Sequence, residues 1–277
     1  MRLPFDAHNH IHLGSSPPLV AMTGGLSGVA IMSTHPRDFC IVRQLSTSLP
    51  ASCPGLKVVP CYGVHPWFLH EVDDKHWEAS IEGVPLWLQD LEDLVKSTPE
   101  AIVGEIGLDG FHFDGETGEL TSSIDDQVKA FEAQMEIAAR LQRPVSVHAV
   151  HSMGPLMMSL AKLKKTKLGL PPKVYFHAFG GKVGTVDQLL ALCGTKPGQT
   201  YFGFAPLVNF RSPKTATVIR KVGLKRLVLE TDHEDAALVP ESMQEGISLI
   251  ADALDLPREM VVEQTTRNAI DLYGLQE

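Results

Sequence analysis

The chain has 277 residues, of which 44% are hydrophobic and 21% charged, enough apolar matter for a large core and too much for a disordered polymer. Its formal net charge is −9, and no apolar run reaches the ~18 residues of a membrane span. The opening MRLPFDAHNH puts an acid and two histidines where a secretion signal needs its apolar core, so the expected location is cytoplasmic or nuclear.

Short apolar, β-branched runs recur along the chain. Strands are expected at Leu3–Asp6, Gly28–Ser33, Lys57–Gly63, Ala101–Ile106, Pro144–His148, Lys173–His177, Thr200–Phe204 and Arg226–Glu230. Stretches with helical spacing lie between them: Leu86–Val95, then Ile124, Val128, Phe131, Met135 and Ala138, then Leu156–Leu163, Val186–Cys193 and Met243–Leu254. Ser122 with Asp125 reads as the start of the second of these helices. The loop Leu108–Thr121, rich in Gly, Asp and Glu, is expected to pass over one end. Strand–helix alternation predicts a parallel sheet, and eight continuous apolar strands favour a closed (β/α)8 TIM-type barrel over an open doubly wound sheet. No linker or internal repeat divides the chain, so residues 1–277 are expected to form one domain. The four cysteines, Cys40, Cys53, Cys61 and Cys193, have no regular spacing and fit reduced thiols.

The chemistry-bearing residues gather at the carboxyl ends of the apolar runs. His8 and His10 follow the first, Glu105 closes AIVGE, His148 closes VSVH, His177 closes VYFH, and Asp232 follows LVLET. In a barrel these ends converge on one face, where catalytic residues sit. His8 and His10 differ by two and share one side of an extended chain. Four imidazoles and two carboxylates without a thiolate favour Zn, Mn or Mg, and six donors suit two ions about 3.5–4 Å apart bridged by a carboxylate. His65 in GVHP faces the same mouth and is a candidate substrate contact, as are His151 and Arg211. Trp67 and Phe68 are candidate base-stacking rings. His12 reads as an exposed neighbour of the ligands, and His35 as either a loop-structuring residue or part of the mouth.

FDAHNHIHL, YGVHPWF, VGEIGLD, PVSVHAV, YFHAFGG, LVLETD and EQTTRNAIDLYGL, in this order, resemble the TatD-type metal-dependent deoxyribonucleases, a branch of the amidohydrolase-like barrels. HAVHSMG and YFGFAPLVNF are closer to a eukaryotic branch than to the bacterial members. The resemblance implies that His8, His10, Glu105 and Asp232 hold one ion. It implies that Glu105, His148 and His177 hold the other, with Glu105 as the bridge. Two departures bear on the substrate. Ala149 and Val150 follow His148 where bacterial members have Ser-Arg, and His233, Glu234 and Asp235 replace the usual Ala-Pro-Tyr.

The function so implied is metal-dependent hydrolysis of DNA phosphodiesters with exonuclease preference, with Asp232 and Glu105 as the catalytic pair. The same site would also serve a hydrolase of a non-nucleic amide, lactone or phosphoester, and the barrel could instead be a binding partner for another protein. The acidic balance argues against a long duplex footprint and for strand ends or short single strands.

Overall fold

The computed structural model describes residues 2–72, 80–81 and 84–276. Eight strands, β1 (Phe5–Asn9), β2 (Gly28–Met32), β3 (Lys57–Tyr62), β4 (Ile102–Asp109), β5 (Val145–Val150), β6 (Val174–Phe176), β7 (Thr200–Phe204) and β8 (Leu227–Leu229), pair in chain order, all parallel. The ring returns on itself where the His8 carbonyl accepts from the N–H groups of Thr231 (3.4 Å) and Asp232 (3.0 Å). This is the barrel that the alternation of elements predicts, with the open sheet set aside.

The helices are α1 (Phe39–Ser52) after β2, α2 (Leu86–Ser97) after β3, α3 (Ile124–Arg140) after β4, α4 (Met153–Leu163) after β5, α5 (Val183–Cys193) after β6, α6 (Thr215–Val222) after β7, and α7 (Val239–Leu254) with α8 (Arg258–Tyr273) after β8. Among the described residues no helix is long and apolar enough to cross a membrane. Strand residues alternate between two packing layers, as a period of two requires. Val29, Ile31, Tyr62 and Val103 belong to the large cluster with helix residues such as Val42, Leu91 and Phe131. Ala30, Met32, Val59, Cys61, Ile102, Tyr175, Tyr201 and Val228 form a second cluster, joined by Ala269, Leu272 and Tyr273 of α8.

The observed boundaries correct the expected ones in places. β1 begins two residues late and runs on through His8 to Asn9, with a register irregularity between Asp6 and Asn9, a local kink of the kind that re-aims side chains near sites. β4 continues to Asp109, three residues past the expected end. The start of α3 is capped by Ser123, whose Oγ accepts from the Asp126 N–H at 3.1 Å, one residue after the expected Ser122. Helices α1, α6 and α8 are not among those read from periodicity. In α8 the buried positions include Thr265, Thr266 and Asn268, so no clean apolar stripe marks it.

Close approach of β4 to β5 depends on Gly107. Its φ is +155°, and a Cβ there would lie 2.0 Å from the His148 carbonyl oxygen. Gly107→Ala should therefore force β4 from β5 and destabilise the fold by about 2–3 kcal/mol, the upper range of overpacking substitutions, read as a lower urea midpoint at an unchanged slope.

Candidate active site

The carboxyl ends of the strands bring all six sequence-derived residues together. β1 supplies His8, and His10 follows one residue beyond it. Glu105 lies within β4 and His148 within β5, while His177 and Asp232 lie just beyond β6 and β8. The His8 and His10 Nε2 atoms are 3.2 Å apart. They lie 3.2 and 3.0 Å from Glu105 Oε2, and 3.5 and 3.7 Å from Asp232 Oδ1. On the other side of the carboxylate, His148 Nδ1 and His177 Nε2 are 3.0 and 2.5 Å from Glu105 Oε1 and 3.2 Å from each other. His65 Nε2 approaches the same oxygen at 3.3 Å.

Each ring is aimed by what its other nitrogen meets. His10 Nδ1 lies 2.9 Å from the Met32 carbonyl, and His8 Nδ1 lies 3.1 Å from Ser146 Oγ. The His8 and His177 rings stack at 3.8 Å, 6° from parallel. Asp232 is held with φ at +59°, a left-handed conformation uncommon outside glycine, by its N–H bond to the His8 carbonyl. The clamp between β1 and the segment after β8 is Asp6. This buried carboxylate accepts from Thr231 N–H (3.0 Å), Thr231 Oγ (2.8 Å), Asn9 Nδ2 (3.0 Å) and His8 N–H (3.3 Å). Burial nonetheless raises Asp6 to about 7.

Electrostatics within the cluster follow burial and Glu105. Burial drives His8 well below the usual imidazole range and His65 down to about 4. For His10 burial is overcome by the adjacent Glu105 carboxylate, with Asp232 adding to it, and the ring rises to about 9. His148 also rises to about 9 against its burial, through Asp109 and Glu105. Glu105 itself is held well below the carboxylate range, because the surrounding imidazoles outweigh its desolvation. Burial raises Asp232.

The donor set fits a divalent cation. Both Glu105 oxygens are buried and make no hydrogen bond, although imidazole nitrogens crowd around them within 3.3 Å. His177 Nδ1 is likewise without a hydrogen bond. Three triads, His8–His10–Asp232, His65–Glu105–His148 and His8–His177–Glu230, the first and last sharing His8, each have potential ligand atoms within 4.8 Å of one another. Imidazole with carboxylate and no thiolate is the donor chemistry of Zn, Mn and their neighbours.

The model of the TatD related DNase family matches residues 5–274. The chain belongs to this family. Among relatives, the Cut9-interacting protein scn1 of Schizosaccharomyces pombe is 26% identical over 94% of this chain and 96% of its own. The 3′–5′ ssDNA/RNA exonuclease TatD of Edwardsiella piscicida is 26% identical over 83% of this chain and 77% of its own. The crystal structure of the TatD homologue YjjV of Escherichia coli superposes with a TM-score of 0.76 at 21% identity, covering 99% of this chain and 98% of that one.

Other residues singled out in this TatD-type sequence fall into two groups. His65 does two things at once: its Nδ1 accepts from the Trp67 N–H (3.2 Å), starting the turn Pro66–Glu71, and its Nε2 faces Glu105. His151 is exposed with φ at +49°, and Arg211 is exposed and makes no ion pair with the cluster. His12 is not the exposed neighbour expected, since its ring is buried 3.6 Å from Asp38 Oδ2. His35 caps the turn Pro36–Asp38 by accepting from the Arg37 N–H. Phe68 lies under the Arg37 guanidinium, 5.8 Å from it.

Two carboxylates of the site were not read from the sequence, although each stands in a quoted motif. Glu230, of LVLETD, is buried and accepts from Tyr175 Oη and from the Ala178 N–H (2.7 Å). It has room only because residue 203 is glycine, where a Cβ would lie 2.5 Å from its carboxylate. Asp109, of VGEIGLD, is 3.0 Å from His148 Nε2 and accepts from Trp67 Nε1 at 2.7 Å, both on Oδ2. A carboxylate held at about 2 can only accept, so Nε2 carries the hydrogen and Nδ1 is the nitrogen turned toward Glu105. Outer partners of this kind fix ligand orientation. Asp109→Ala should weaken divalent-ion binding about 10–100-fold, measured by competition with a chelating dye, while circular dichroism of the variant stays that of the parent.

Proposed function

We propose that this chain hydrolyses phosphodiester bonds of nucleic acid, DNA foremost, from a strand end, with two divalent ions held at the mouth of the barrel. The observation that carries the reading is the position of Glu105: one oxygen faces His8 and His10, the other faces His148 and His177. On this reading His8, His10, Glu105 and Asp232 hold one ion and Glu105, His148 and His177 the other. Zn, Mn and Mg are the candidates. Such ions, when bound, supply Lewis-acid charge to the phosphoryl oxygens and make water acidic enough to react near neutral pH.

The protein's own groups do the rest. Glu105 has both oxygens committed between the two histidine pairs, so it positions and does not exchange protons. Asp232 is the open carboxylate of the six, with its side chain 18% exposed, and it lies beside His10 at the mouth. It is therefore the group placed to orient the attacking water and take its proton. Substrate geometry follows from charge. A chain of net charge −9 without an arginine after His148 offers little purchase along a duplex, whereas an end or a single strand needs few phosphate contacts. The name of the family and the exonuclease named among the relatives support the same substrate.

A labelled single strand incubated with Mg or Mn should shorten progressively, and EDTA should stop it. A closed circular DNA should survive; rapid cutting of the circle by clean protein would remove the end preference. Asp232→Asn keeps the shape and loses the basicity, so turnover at saturating Mn should fall by about 10²–10⁴, with a melting curve close to the parent's. Near-normal turnover in that variant would assign the proton to another group.

A further inference from the structure

Beside the cluster of acids and histidines, on the β3–β5 side of the mouth, the chain exposes a set of aromatic rings that the hydrolytic site does not use. Trp67 is 37% exposed, with its ring centroid 5.0 Å from that of His65 and 6.1 Å from that of His148. His112 stacks on it at 4.5 Å, 17° from parallel. Next to them Phe111 is 63% exposed and stacks on His151 at 5.0 Å and 24°.

These rings are held in place from beneath. Asp109 accepts from Trp67 Nε1 with one oxygen and from the Phe111 and His112 N–H groups (2.7 and 3.1 Å) with the other. The Gly110 N–H binds the Val150 carbonyl at 2.8 Å, joining the Phe111 loop to the His151 loop. The carboxylate that aims His148 therefore also sets the height of the rings above it. Large apolar rings turned to water beside a reaction site, on a backbone this well tied, are a prepared binding surface.

We propose that Trp67–His112 and Phe111–His151 form a stacking subsite for unpaired nucleobases next to the phosphodiester being cut; this rests on the reading given under Proposed function. Ring faces bind any base, so the subsite selects unpaired strands without selecting sequence. It supplies, through bases, grip that a chain of net charge −9 has little means to supply through phosphates. A duplex, whose bases are stacked on one another, cannot use it.

The test is binding, by fluorescence polarisation, of a labelled oligothymidylate with an uncharged methylphosphonate backbone, which resists hydrolysis, against a strand of the same backbone with abasic sugars. The protein is used as purified. The thymidine strand should bind markedly more tightly than the abasic one, with little dependence on salt because no phosphate is neutralised. Phe111→Ala should weaken thymidine-strand binding by about tenfold, within the range for loss of one stacked base, and leave the abasic strand's binding where it was. Trp67→Phe, which keeps a ring, should retain more affinity than Trp67→Ala. Equal binding of the two strands by the parent protein would overturn the subsite while leaving end-directed hydrolysis standing. Base-dependent binding in a protein that cuts no nucleic acid with any metal would support the subsite and overturn the hydrolytic reading.

Discussion

The Glu105 carboxylate is the constraint around which the mouth of the barrel is arranged. It is 1% exposed and makes no hydrogen bond, and a buried carboxylate in that state is costly unless positive charge meets it. Five of its near neighbours are imidazoles contributed by four other parts of the chain, and each is turned so that a nitrogen faces one of its oxygens. Those nitrogens do not satisfy it as hydrogen-bond donors in good geometry. They surround it in the way that ligands surround a shared cation, and this is the physical reason for reading the cluster as a metal site.

Convergence of this kind needs the ring of strands to be closed and its seam to be rigid. The seam lies between β1 and β8, and it is there that Asp6 takes four donors, three of them from Asn9 and Thr231. The His8 carbonyl, accepting from Asp232, and the His10 N–H, donating to the His233 carbonyl at 2.9 Å, complete it. His8, His10 and Asp232, far apart in the chain, are thus part of one hydrogen-bonded unit. Across the mouth Asp109 plays the matching part for His148, Trp67 and the loop after β4. Two buried acids, neither among the six converging residues, hold the two sides of the site.

The charge of the chain shapes what such a site can accept. Asp and Glu outnumber Lys and Arg, 33 to 24, while the cluster concentrates imidazoles and carboxylates suited to cations. Attraction for a polyanion then has to come from bound ions at the mouth and from surfaces that do not rely on charge. The aromatic rim next to His148 is such a surface, and its rings are fixed by the same carboxylate that orients the imidazole.

Much of this was legible in the chain itself. Alternating strand and helix patterns determine a parallel sheet, because a parallel strand needs a crossover and a doubly buried strand needs a continuous apolar run; they favour a barrel, but its closure was decided by the tertiary pairing of the first and last strands. The six residues at strand ends are legible for the same reason: a barrel gathers those ends on one face. Period-two spacing places His8 and His10 on one side, as observed. Helix α8 is poorly marked in the sequence because Thr265, Thr266 and Asn268 interrupt its buried face, whereas α1 (Phe39, Val42, Leu45, Leu49) and α6 (Val218, Ile219, Val222) carry a helical stripe that is legible in the chain although it was not read from periodicity. Asp6, Asp109 and Glu230 stand in motifs that sequence reading quotes, yet one-dimensional spacing cannot show which carboxylate meets a backbone N–H, a tyrosine or an imidazole ring. The burial of His12 and the pairing of Phe111 with His151 were decided in the same way. Those partners lie up to 225 positions apart, and only the closing of the barrel brings them within hydrogen-bonding or stacking distance.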